Sequence, residues 1–88
     1  MNNTDGSPLP KRLKQARLLR GLSQKQLGIL AGMDRFVASA RMNQYERGVH
    51  APEFKTVIAL AKVLQVPTAY LFCIEDDLAE LILAKSDS

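Results

Sequence analysis

Eighty-eight residues, 47% of them hydrophobic, suit one small globular domain and leave little room for a second core. Residues 1–62 hold eleven Lys/Arg against four Asp/Glu (+7) and residues 63–88 one Lys against five acids (−4), which favours a basic face for a polyanion and an acidic end turned elsewhere. The single Cys73 excludes an internal disulfide, no apolar run approaches the length of a membrane span, and the polar start MNNTDGSPLP lacks a signal-peptide core, so a cytoplasmic protein is expected.

Residues 1–8, with Gly6, Ser7 and Pro8, read as a flexible N-terminal arm. A helix is expected from Leu9 to Arg20, with Leu9, Leu13, Ala16 and Leu19 on one face and Leu18 on the other, ending at Gly21. Lys11, Arg12, Lys14, Arg17, Arg20 and Lys25 are placed by this reading near helix ends that approach phosphates.

The stretch from Leu22 to Gly48, LSQKQLGILAGMDRFVASARMNQYERG, strings two capped helices around a glycine turn. Ser23 and Gln26 have the spacing of a reciprocal capping box, and Leu22 and Leu27 that of a hydrophobic staple across it. Leu27, Leu30 and Ala31 form an apolar face, and Gly32 follows as a residue that tolerates a left-handed backbone. The second helix carries Ser39, Arg41, Asn43 and Gln44, whose chemistry suits base edges: Arg pairs with guanine O6 and N7, Asn or Gln with adenine N6 and N7, and Ser with several edges. That is the layout of a helix-turn-helix DNA reader.

After a loop at Val49–Pro52, a helix is expected from Phe54 to Leu64, with Val57, Leu60, Ala61 and Leu64 inward. Val66-Pro67-Thr68 ends it and opens a short fifth helix, Thr68 to Phe72. Cys73, in an apolar run, reads as a buried structural thiol, and His50 as an exposed loop residue or a weak phosphate contact; no metal site or cofactor is indicated. Asp76 or Asp77 caps a last helix through Ala84, where Leu78, Leu81, Ile82 and Leu83 invite burial. Either this tail folds back on its own domain or it packs on a second copy, and two-fold symmetry favours the second.

The Gln24-initiated helix, small Gly28, turn Gly32, apolar Met33 and terminal Tyr45-Glu46-Arg47-Gly48 resemble the Cro/phage-repressor (Xre-type) helix-turn-helix family over about Leu13 to Phe72, and V-P-T-x-x-L-F resembles that family's usual end. The resemblance implies an all-α, compact five-helix, lambda-repressor-like domain over 9–74, to which residues 75–88 add a short helix and tail that could serve dimerisation. It implies base contacts from Ser39, Arg41 and Gln44, beside Asn43, phosphate contacts from Gln24, Arg47 and Lys55, a buried Met42, and an internal ion pair between Arg17 and Glu46. The family's small residue at Gly28 is more often alanine, and glycine there costs roughly 1 kcal/mol of helix stability. Twelve residues separate Ala31-Gly32 from Tyr45-Glu46, where the family commonly has about eight. The added residues, around Met33 to Val37, either lengthen the turn or extend the second helix backward with Asp34 as its cap; Arg35 gains a base or phosphate contact in the second case and a backbone contact in the first.

The resulting expectation is a non-enzymatic, sequence-specific binder of double-stranded DNA that regulates transcription, most simply a homodimeric repressor. The alternative is an antitoxin-like interaction module that meets a protein partner through Leu78, Leu81 and Ile82. A helical bundle without DNA is the bland reading, opposed by the polar side chains clustered on the second helix. No phosphate loop, metal set or acid pair argues for catalysis.

Overall fold

The computed structural model describes residues 6–87, and all regular structure among them is helical: α1 Leu9–Leu19, α2 Gln24–Leu30, α3 Ala38–Glu46, α4 Phe54–Leu64, α5 Thr68–Leu71 and α6 Asp76–Ser86. This is the expected all-α architecture of five helices with one more at the C-terminus. Residues 1–5 of the expected arm lie outside the described residues. Ser7 Oγ accepts the N–H of Leu9 at the start of α1.

One apolar stripe from each helix meets in a common core, with Leu13, Ala16, Leu27, Met42, Leu60, Leu64 and Leu71 essentially without solvent exposure. Each such leucine contributes roughly 1.5–3 kcal/mol through burial. Val57 and Ala61 complete the inward face of α4 as its period requires. In the first two helices two positions depart from the expected faces. Leu19 and Leu30, each the last residue of its helix, are exposed, because the chain turns away before another element covers them.

The C-terminal helix folds back on its own domain. Ala79 is buried and Ile82 and Leu83 pack on the core, whereas Leu78 and Leu81 remain exposed. Neither Asp76 nor Asp77 is the N-cap; Glu75 holds that position without a side-chain hydrogen bond, and α6 continues to Ser86. Asp76 is drawn elsewhere, to Lys11 and Arg12 at 2.9 Å each.

Arg12 explains that pull. It is only 2% exposed, and its guanidinium donates to the carbonyls of Cys73 and Ile74, to Gln15 and to Asp76, with the Tyr70 ring 5.8 Å away. A buried guanidinium is tolerable only when its donors are met in this way. Arg20 similarly donates to the carbonyls of Leu64 and Gln65 and pairs with Asp87. Four of the six basic residues expected to approach phosphates, Lys11, Arg12, Arg17 and Arg20, are thus engaged within the fold. Lys14 and Lys25 stay exposed without an ion pair to a described residue. Cys73 is buried, its Sγ donating to the Glu75 carbonyl at 3.3 Å, which fits a structural thiol.

Candidate nucleic-acid interface

The α2–turn–α3 unit is built by local rules. Ser23 Oγ accepts from Gln26 N–H at 3.0 Å and Gln26 Oε1 from Ser23 N–H at 2.8 Å, so the capping box is present in both directions. At the other end Gly32, with φ +98°, lets Met33 N–H reach the Gly28 carbonyl and Gly32 N–H the Ile29 carbonyl, the paired bonds that close a helix with a left-handed residue.

The additional residues lengthen the turn and do not extend α3. They form a helical turn of their own: Asp34 Oδ1 accepts Phe36 N–H at 2.8 Å, and the Asp34 carbonyl accepts the N–H groups of both Val37 and Ala38. Asp34 therefore acts as a cap, but of this small turn, after which Val37 is the N-cap of α3. Arg35 lies in the turn with its guanidinium 5.7 Å from the Phe36 ring centre.

α3 sits across α2 with Ala38 and Met42 buried and Tyr45 packed on the core. At about 3.6 residues per turn this orientation puts Ala40, Asn43, Gln44 and Arg47 on the outer face, with Ser39 and Arg41 on opposite flanks. Ser39, Ala40, Arg41, Gln44 and Arg47 are all exposed and Asn43 is half-buried. Ala40 has no hydrogen-bonding group to mark it in the sequence, although the helical period counted from Met42 places it here. Arg41 and Gln44 border a shallow cleft with His50 and Lys55 at the start of α4. Lys55 approaches Glu53 only at 3.9 Å with both side chains in solvent, a pairing too weak to withhold it from another anion.

Behind the outer face lies a rigid polar brace. Arg17 Nε donates to Glu46 Oε2 at 2.6 Å and Nη2 to Oε1 at 2.9 Å, a bidentate pair in which Arg17 is 11% and Glu46 3% exposed. That hydrogen bond is the main reason the Arg17 pKa is raised. Arg17 Nη1 also donates to the Leu22 carbonyl, while Gln24 Nε2 donates to Glu46 Oε1 and, at 3.4 Å, to Asn43 Oδ1. The ion pair is therefore where the sequence reading put it. Gln24, expected at a phosphate, and Asn43, expected at a base, are joined to each other across the α2–α3 crossing.

Among the described residues no group of three His, Cys, Asp or Glu side chains is placed to hold a metal, and no helix is long and apolar enough to cross a membrane. The family model described as Helix-turn-helix (HTH_3) matches residues 13–71. A crystal structure of the transcriptional regulator BswR superposes with a TM-score of 0.87 at 64% sequence identity, covering 91% of this chain and 79% of that one. Comparison with curated proteins gives no match.

Proposed function

The chain belongs to the helix-turn-helix family of Cro/phage-repressor type, whose members are DNA-binding transcription regulators, and from that premise we propose that it recognises a specific duplex sequence with α3 in the major groove and represses by occupying a promoter. The observation that carries this reading is the exposed outer face of α3 together with its flanks. Arg41, Gln44 and Ser39 are exposed and have no side-chain partner among the described residues, yet they stand on a helix fixed by the Arg17–Glu46 pair. Donors that are free but held in register are what base-edge readout requires.

In this mechanism Arg35, Arg47 and Lys55 supply salt-dependent attraction to the phosphates, and Gln24 adds a contact at the start of α2. Arg41, Gln44, Ser39 and the remaining amide donor of Asn43 discriminate bases. Occupancy of two half-sites by a homodimer fits the exposed Leu78 and Leu81 on α6; Ile82 is half-spent on the protein's own core.

The test is fluorescence anisotropy of the protein with the DNA upstream of its own gene and with a scrambled duplex of equal length, across a salt series. A preference on the order of 1,000-fold that weakens steeply with salt supports the reading. Weak, equal binding to both overturns it.

A further inference from the structure

Phe36 is the most exposed large hydrophobic residue among those described, at 88%. A ring left in water forgoes roughly 1.5–3 kcal/mol of burial, and a lone exposed apolar residue would need no account. Its position is what matters. The Asp34 carbonyl accepts Ala38 N–H and the Val37 carbonyl accepts Arg41 N–H, so the backbone enters α3 in nearly helical register. Phe36 therefore stands one turn ahead of Ala40 and two turns ahead of Asn43, at the i, i+4, i+7 spacing of one helix face. It extends the outer face of α3 beyond the helix's own N-terminus, and the Asp34 cap fixes the turn from which the ring projects.

We infer that Phe36 is a specificity-determining residue, its ring making an apolar contact with the 5-methyl group of a thymine at the end of the site entered by the N-terminus of α3. This rests on the proposed reading of α3 as the helix in the major groove, and it names one base read there. The thymine methyl is the one feature of the groove's edge that is read by apolar contact, and an exposed phenyl ring is suited to it. Arg35, over the ring, brings positive charge to the same point, where phosphates flank the groove. Along this face the next residues are Ala40 and Asn43, which add no large apolar side chain to the ring.

The experiment selects a duplex from a random library with the full chain, then replaces each thymine singly by uracil, which lacks only the methyl. At one thymine per half-site, at the end under the α3 N-terminus, wild-type affinity falls about fourfold, the worth of one methyl. Phe36→Ala binds the thymine and uracil duplexes equally at that position and keeps the wild-type response at every other, while Phe36→Leu retains part of the discrimination. An unchanged thymine-to-uracil ratio in Phe36→Ala, or a wild type indifferent to every replacement, overturns the inference and leaves the regulator reading standing. If the wild type enriches no duplex over a scrambled one, the regulator reading fails first and this inference with it.

Discussion

Gly28 of α2 and Ala38 of α3 touch so closely that a Cβ at Gly28 would lie 2.8 Å from the Ala38 Cβ and 3.2 Å from its carbonyl oxygen. The obstacle includes backbone that cannot swing aside. On helix propensity alone alanine at position 28 would stabilise α2 by roughly 1 kcal/mol, but overpacking costs about 1–3 kcal/mol and wins. Gly28→Ala should therefore lower the urea midpoint, and Ala38→Gly in the same chain should recover part of the loss. A Gly28→Ala protein as stable as the wild type would show that the two helices can separate freely.

The Arg17–Glu46 pair predicts an asymmetry between breaking and replacing. Glu46→Ala leaves a mostly buried guanidinium without its carboxylate, at a cost of about 3 kcal/mol, whereas Arg17→Met with Glu46→Leu costs clearly less. Chemical denaturation of the three proteins measures both. Since Glu46 also receives Gln24, the single variant should loosen α3 and weaken DNA binding more than its stability loss alone would suggest.

Much of this scaffold could be read from residue order. The capping box at Ser23, the turn at Gly32, the buried Met42 and the Arg17–Glu46 pair depend on short-range rules or on a family pattern, and each is found in place. What escaped the reading depends on which element covers which. Leu19 and Leu30 satisfy a helical period yet stay more than half exposed, and Asp76 has the spacing of a cap but is captured by Arg12, sixty-four positions away. The close Gly28–Ala38 contact is illegible for the same reason: the added turn decides which side chain of α3 faces the glycine. For the outer face, periodicity from one buried residue sufficed to locate the side chains, but residue chemistry alone overlooked Ala40 and Phe36.

Acid should loosen α6. Hydrogen bonds from Lys11 and then Arg12 hold the Asp76 carboxyl below the ordinary carboxylate range. A depressed folded-state pKa gives stability that is present above the unfolded value and is lost as pH falls through the folded one, so the anchoring should fade below about pH 4. Hydrogen exchange of the α6 amides, corrected for intrinsic rates, should rise at low pH relative to α1, and Asp76→Asn should flatten that response. Equal acid sensitivity in both proteins would assign the effect elsewhere.

Base reading and phosphate attraction separate in the salt dependence. Arg41→Ala should cost about 1–3 kcal/mol on the selected duplex and little on a scrambled one. Lys55→Ala should weaken both alike and reduce the log–log salt slope by about 1. Uniform weakening by Arg41→Ala would move that residue from the bases to the backbone.

Leu78 and Leu81, the latter 67% exposed, set the test of assembly. Sedimentation should find a dimer at micromolar concentration that Leu78→Glu with Leu81→Glu converts to monomer, with a fall in affinity for a two-fold duplex and little change on a single half-site. A wild type that sediments as a monomer removes the dimer from the mechanism.

Arg12 ties the end of the chain to its beginning, and this limits how the domain can be reused. A chimera that cut the chain after Phe72 would discard the two carbonyls and the carboxylate that satisfy a guanidinium lodged in the interior, so the fragment would inherit a buried, under-solvated charge and a weakened core. An effector module is better attached after the sixth helix, which leaves both carbonyls and the carboxylate on the guanidinium.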